Sequence, residues 1–236
     1  MPDGNSCTGP QGGFMNVVIT GANRGLGLAF VTHYLKQGDQ VWACYRSQSG
    51  GLADINSEQL HLIQWDVSID NEPQGEFPDS IDLLINNAGI YGPGKDGQEL
   101  AKVKPETMLE VFNVDCVGPL RVVQRLVDRV IACRGVIANI SSKMGSSDDN
   151  SSGGTYAYRA AKSALVIVSK SMAVDLSSHG VHVITLHPGW VQTDMTNQTG
   201  LIDVQTSVKG MSRIIAARDQ YEPGQFIAFD GKHIIG

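Results

Sequence analysis

From residue 14 onward, short runs of consecutive apolar residues alternate with longer stretches whose apolar positions recur every three or four residues. Runs of the first kind fall at 14–20, 40–45, 60–65, 81–86, 135–140, 181–187 and 225–229. Their lengths predict strands, and their lack of polar alternation predicts burial on both faces. Helical spacing occupies 25–37, 105–112 running into 116–129, 155–178 and 203–218. Buried strands separated by helices form a parallel sheet covered on both sides, because a parallel connection has to cross over. The expected class is therefore α/β: a single-domain Rossmann fold over 14–236, with a doubly wound, parallel, seven-stranded sheet. Residues 1–13, rich in Gly, Pro and Ser, are expected to form a flexible N-terminal tail.

Three segments break the pattern. At 66–80, Pro73, Gly75 and Pro78 stand where a crossover helix belongs, so that crossover should be shortened or irregular. The polar stretch 145–154 (GSSDDNSSGG) should be mobile, and 193–200 follows the sixth strand. Loops at the carboxyl ends of such strands form the ligand crevice.

Composition narrows the function classes. The 236 residues are 42% hydrophobic and 18% charged, which excludes disorder, and the net charge of −6 argues against wrapping a nucleic acid. No apolar run approaches the roughly 18 residues of a membrane-spanning helix. The apolar stretch 14–19 is too short for a secretory signal core and has no basic residue before it. The expectation is a soluble, cytoplasmic protein with neither nucleic acid nor membrane as partner. Cys7, Cys44, Cys116 and Cys133 lack C-x-x-C spacing, and Cys44 and Cys116 read as core packing. The histidines show no ligand spacing, so no metal is expected.

Chemistry enters at Thr20-Gly21-Ala22-Asn23-Arg24-Gly25-Leu26-Gly27, which follows the first strand directly and opens the first helix. Gly21 and Gly25 permit a tight turn and close approach of backbone to a pyrophosphate, and Gly27 lets helix and strand pack closely. Backbone N–H groups at the helix start would face the anion, making Gly21, Asn23, Arg24, Gly25, Leu26 and Gly27 a candidate dinucleotide cradle. The second strand ends Ala43-Cys44-Tyr45-Arg46-Ser47, with no acid before Asp54 to bond a ribose 2′-hydroxyl. Arg46, with Arg24 beside the turn, would clamp a 2′-phosphate instead. One charge-assisted bond contributes roughly 1.5–3 kcal/mol, about tenfold or more in favour of NADPH/NADP+ over NAD(H).

Further motifs follow in order: Asn86-Asn87-Ala88-Gly89 after the fourth strand, Tyr158-Arg159-Ala160-Ala161-Lys162, and Pro188-Gly189 after the sixth. With the glycine turn, they resemble the short-chain dehydrogenase/reductase family across essentially 14–236. ISSKMG (140–145), SSGGTYAYRAAKSAL and HPGWVQTDM (187–195) are similar to its C-factor and sniffer-like carbonyl reductases. The resemblance implies Tyr158 as proton donor to a carbonyl, Lys162 on the cofactor ribose, and Ser142 on the substrate oxygen. It also implies cofactor contacts from Asp66 and Val67 (adenine edge), from Asn87, Ala88 and Gly89 (adenosine ribose), and from Pro188, Gly189, Val191 and Thr193 (nicotinamide).

The residues make sense of these roles. Tyr158 and Lys162, four apart on a helix, share a face. A phenol with pKa near 10 is a poor proton carrier at neutral pH. Bringing it down by about three pH units needs roughly 4 kcal/mol, which a nearby Lys⁺ and cationic nicotinamide can supply. Ser141 and Ser142 end the fifth strand, and because successive residues face opposite sides only one enters the crevice; the family pattern selects Ser142. The family's catalytic asparagine, three residues before a glycine, is here Asp115, with Asn113 two residues earlier and expected to face elsewhere. Asp115 could accept from a relay water, pair with Lys162 and raise its pKa, or weaken catalysis.

The expected function is NADPH-dependent reduction of an aldehyde, ketone or quinone, or the reverse oxidation. The alternative is a dinucleotide-binding signalling protein with little turnover. Tyr91, Met144, Tyr156, Trp190 and Met195 are candidate pocket walls for an apolar small-molecule carbonyl. A homodimer or homotetramer is implied by the resemblance, although the stripe Leu120, Val123, Leu126, Val127 and Val130 reads first as intramolecular core.

Overall fold

The computed structural model describes residues 13–236. The tail expected at 1–13 therefore lies, except for Gly13, outside the described residues. The elements run β1 (Asn16–Ile19), α1 (Gly25–Gln37), β2 (Gln40–Tyr45), β3 (Leu60–Gln64), β4 (Leu83–Asn86) and α2 (Pro105–Phe112). They continue with α3 (Gly118–Cys133), β5 (Val136–Ile140), α4 (Tyr156–Leu176), β6 (His182–His187), α5 (Val204–Ala216) and β7 (Phe226–Ala228). The sheet has seven strands in the order β3-β2-β1-β4-β5-β6-β7. Every adjacent pair is parallel. Chain direction across the sheet reverses between β1 and β4, which creates a crevice at their carboxyl ends.

Apolar runs become strands because both faces are covered. On one face α1 and α5 bring Phe30, Tyr34, Met211 and Ile214 onto Val17, Ile19, Ala43 and Ile85. On the other, α3 and α4 bring Val123, Leu126, Val130 and Met172 onto Val18, Leu84 and Ile137. The Leu120–Val130 stripe is thus core, with Leu120 and Val127 packed at its margin. β4 and β5 are buried at every position. α1 stops at Gly38, whose φ of 90° closes the helix by donating to Leu35 O.

Every strand except β2 is shorter than its apolar run, β1, β4 and β7 by two or more residues: Phe14 is 64% exposed and lies outside β1, and β7 spans three residues. The 66–80 crossover contains no helix. Instead Gln64 pairs with Gln74, Trp42 Nε1 donates to Glu76 O at 3.1 Å, and the rings of Trp65 and Phe77 meet at 5.8 Å. Side chains and single hydrogen bonds cover this edge because Pro73 and Pro78 lack the N–H groups a helix needs. Among the described residues, no helix is long and apolar enough to cross a membrane.

Candidate active site

The turn after β1 is built by close approach. Gly21 has φ 62°, and a Cβ there would lie 2.8 Å from Ala88 Cα. A Cβ at Gly27 would lie 2.1 Å from Gly21 O, so helix and turn meet only if this residue is glycine. Asn87 braces the turn from β4: its Nδ2 donates to Thr20 O at 3.0 Å and Gly21 O at 3.1 Å. The Thr20 hydroxyl accepts from the backbone N–H groups of Asn87 and Ala88. The two sides of the crevice therefore form one rigid unit.

At the end of β2, Arg46 is exposed, and among the described residues no carboxylate pairs with it. Arg24 lies 3.8 Å from Asp194, with both side chains about 70% exposed, so that pair is weak. Asn23 Nδ2 donates to Gln48 O at 3.1 Å, holding the loop after β2 against the glycine turn. Asp66 Oδ1 accepts from Ser68 N at 2.9 Å and Ser68 Oγ at 2.6 Å, so this carboxylate organises its own turn. Val67 is buried, and its carbonyl accepts from Arg121.

The 188–200 loop closes the other side. Gly189 has φ 87°, and a Cβ there would lie 2.7 Å from Ile202. The Pro188 carbonyl accepts from Ser207 Oγ at 2.6 Å. Val191 is buried, its carbonyl accepting from Thr196 Oγ1 at 2.6 Å. The Thr193 methyl would lie 3.7 Å from a Cβ at Gly25, which puts this loop over the glycine turn. Between them opens a cavity of about 340 Å³, lined by Gly25, Leu28, Thr193, Asp194 and Gln198.

The catalytic candidates converge at the ends of β4 and β5. Ser142 follows β5, and its hydroxyl accepts from Met144 N at 3.2 Å and acts on the Tyr158 phenol in favour of its ionised form. Ser141 points the opposite way, donating to Lys162 O at 2.8 Å. Lys162 Nζ lies 5.7 Å from the Tyr158 ring centre and donates to Ile140 O at 3.0 Å. It also lies 3.1 Å from Asp115 Oδ2, with both side chains buried. The other Asp115 oxygen accepts from Ile90 N at 2.7 Å. Asp115 reaches this position through a single π-helical turn, Asn113–Val117, between α2 and α3. Asn113 faces away, donating to Ser68 O at 2.7 Å.

These contacts set the ionisation. Burial works against the Lys162 ammonium, but Asp115 and the Tyr158 oxygen hold its pKa above the ordinary lysine range. Burial raises the Asp115 carboxyl against the pull of Lys162 and the Ile90 N–H. For Tyr158 the expected lowering is not what the protein itself produces. Burial raises the phenol pKa, and Asp115 and Tyr91 raise it further, outweighing the lowering by Lys162 and the Ser142 hydroxyl. The lysine charge is shared with a carboxylate, which weakens its hold on the phenol.

Residues 15–201 match the short chain dehydrogenase family. The C-signal protein of Myxococcus xanthus is 38% identical over 156 residues, covering 65% of this chain and 92% of that protein. The carbonyl reductase Sniffer of D. melanogaster superposes with a TM-score of 0.84 at 28% identity, over 95% of this chain and 100% of that one. An NADPH-bound carbonyl reductase from chicken fatty liver gives 0.82 at 26% identity, over 94% and 99%. The chain belongs to the short-chain dehydrogenase family. It is accordingly an oxidoreductase, and of the C-factor and sniffer-like kind.

Within that family framework, three of the five expected pocket-wall residues stay exposed. Tyr91 and Met144 pack with Val111, Ala157 and Tyr158, whereas Tyr156, Trp190 and Met195 are exposed. The 145–154 loop is tied down at several points: Lys143 Nζ meets Asp149 at 2.6 Å, and Arg159 donates to Met144 O and Ser152 Oγ. Sequence reasoning missed two site neighbours. His187 accepts from Lys143 N at 3.2 Å and is held neutral, its pKa lowered to about 4 by burial and by Lys143. Gln98, fully buried, accepts from Tyr158 N at 3.1 Å. His187 opens the HPGWVQTDM stretch at the end of β6, but nothing along the chain shows that it meets Lys143; Gln98 lies in no motif, and a polar residue in an irregular segment carries no signal of burial. Among the described residues no cluster of His, Cys, Asp or Glu could hold a metal ion.

Proposed function

We propose that this protein is an NADPH-dependent carbonyl reductase acting on an apolar aldehyde, ketone or quinone. The observation that carries the reading is the convergence of Ser142, Tyr158 and Lys162 at the strand ends, beside a glycine turn that only small residues can make. The residues suit the dinucleotide: Gly21 and Gly27 leave room for backbone approach, and the start of α1 presents N–H groups to a pyrophosphate. Arg46 and Arg24 supply charge for a 2′-phosphate, and no acid at the end of β2 stands in for a 2′-hydroxyl partner. The chicken carbonyl reductase, at 26% identity, holds NADPH in its crystal structure, which supports the same choice.

The bound nicotinamide would supply the hydride. The chain's own residues do the rest. Ser142 orients the carbonyl oxygen by hydrogen bonding, and Tyr158 delivers its phenolic proton to that oxygen as charge develops. Lys162 stabilises the resulting phenolate and offers its remaining N–H to a ribose hydroxyl. The raised phenol pKa keeps Tyr158 protonated at neutral pH, which suits reduction over oxidation. A cytoplasmic location and a homodimer or homotetramer belong to the same proposal; Leu109, Ile167 and Val174 are exposed apolar residues on α2 and α4.

NADPH consumption against a panel of aldehydes, ketones and quinones tests this, beside Tyr158→Phe and an NADH control. Loss of roughly 10²-fold or more in the variant, the scale of general acid catalysis, is expected. Equal rates in both proteins would sink the proton-donor role. The likeness to C-signal favours a second reading, a dinucleotide-binding signalling protein, which tight NADPH binding without turnover would support.

A further inference from the structure

We propose that Gln98 positions the Tyr158 phenol, by capping the helix that carries it and locking the loop after β4 to that cap; the inference rests on the reductase reading. The first N–H groups of a helix have no partner within it. α4 starts after Thr155, which sits in left-handed backbone at φ 54° with no side-chain cap. The Thr155 hydroxyl instead meets the Tyr91 hydroxyl at 3.3 Å. The cap comes from outside the helix: Tyr158 N donates to Gln98 Oε1 at 3.1 Å. The same amide turns its two hydrogens on the loop, donating from Nε2 to Tyr91 O at 2.7 Å and to Pro93 O at 3.0 Å.

A primary amide has one acceptor oxygen and two N–H donors, and here all are used by a side chain that is itself fully buried. An ionised carboxylate accepts without donating, and a hydroxyl side chain is too short. Tyr91 is thereby held with its ring 5.0 Å from that of Tyr158. Gln98 thus joins the wall facing the substrate to the residue giving up the proton. Losing it leaves the buried Tyr158 N–H without its acceptor and releases the Tyr91 and Pro93 carbonyls of the partly exposed loop. The phenol then drifts from Ser142 and Lys162, the small misplacement to which a proton transfer is sensitive. Gln98 touches no reacting atom and acts through Tyr158.

Two variants separate positioning from packing: Gln98→Met keeps the volume without the hydrogen bonds, and Gln98→Glu keeps the acceptor. Turnover is read with menadione and benzaldehyde, NADPH affinity by nicotinamide fluorescence, and the cap by deuterium exchange at the start of α4. Gln98→Met is expected to lower kcat roughly tenfold. NADPH affinity should stay within about twofold, while exchange at 157–159 speeds up roughly tenfold. Gln98→Glu, compared with wild type at each pH, should regain kcat as pH falls, because a protonated carboxyl can again donate to the loop. Unchanged kcat in Gln98→Met, equal losses in kcat and NADPH affinity, or a pH-independent Gln98→Glu ratio would overturn the proposal. The exchange measurement needs no substrate, and unaltered protection in Gln98→Met would overturn the cap directly. A wild type that reduces neither probe while Gln98→Met loses protection counts against the reductase reading alone. Should Gln98→Met fail to fold, Gln98→Glu decides by itself.

Discussion

Replacing Asp115 by asparagine, the residue the family usually has there, tests whether the buried ion pair sets the ionisation of the site. The amide oxygen can still accept from Ile90 N, but the amide nitrogen then faces Lys162 Nζ across the 3.1 Å gap. At an effective dielectric constant near 20, that separation corresponds to roughly 5 kcal/mol of gross attraction. Desolvation of both charges offsets much of it, yet stranding one partner of a buried pair costs about 3–5 kcal/mol. The retained bonds to Ile90 and Ile140 reduce the expected loss to about 2–4 kcal/mol at pH 7. Because the folded-state pKa of Lys162 is raised, its contribution is complete below the ordinary lysine pKa and is lost as pH climbs through the folded value. The stability gap between the two proteins should therefore narrow in strong alkali, and widen in acid, where the raised Asp115 pKa lets the folded wild type take up a proton before the unfolded chain does. Removing the carboxylate also removes one cause of the raised phenol pKa. Reduction needs the protonated phenol, so the alkaline limb of kcat/KM should move to lower pH, and alcohol oxidation at neutral pH should quicken. Urea denaturation and pH–rate profiles in both directions read these effects. An alkaline shift of the limb, or a variant as stable as wild type, would refute the reasoning.

The two serines at the end of β5 should separate cleanly. Ser141→Ala, which removes a second hydrogen bond from the Lys162 carbonyl within α4, should cost about 1 kcal/mol of stability and leave kcat within about twofold, whereas Ser142→Ala should cost kcat with little effect on unfolding. His187 has its pKa depressed to about 4, so its stabilising contribution is present above about 6.5 and is lost as pH falls toward 4, by up to about 3 kcal/mol. His187→Asn keeps an acceptor for Lys143 N without titrating, and should lose about 2 kcal/mol less stability than wild type between roughly pH 7 and 5 by chemical denaturation. Gly27→Ala places a methyl 2.1 Å from Gly21 O. Overpacking of that severity should cost about 3 kcal/mol or more, visible in the unfolding midpoint and in NADPH affinity.

Much of this protein can be read from local pattern. Strand positions are visible as apolar runs because a strand buried on both faces has no polar residues to alternate with. The glycine turn is visible because no other residue type tolerates its backbone and contacts, and Tyr158 with Lys162 because four residues bring side chains together on any helix. The division between Ser141 and Ser142 follows from strand alternation: the Ser141 hydroxyl bonds the Lys162 carbonyl, whereas the Ser142 hydroxyl accepts from Met144 N on the other side. Asp115 stands out against the family pattern, but the π-helical turn that aims it at Lys162 does not, since a single widened turn leaves no periodic trace.

Neighbours within a few residues set the order of strands and helices, the glycine turn and the pairing of the candidate groups Tyr158 and Lys162, so all three are legible along the chain. The sign of the Tyr158 pKa shift is not, because burial and a carboxylate 43 positions away outweigh the lysine one helical turn along. Nor is the capping of the catalytic helix by Gln98, 60 residues before Tyr158. Such effects depend on which groups meet in a low-dielectric interior and on whether each buried donor finds an acceptor. Those are properties of the packed chain, and no short window of residues contains them.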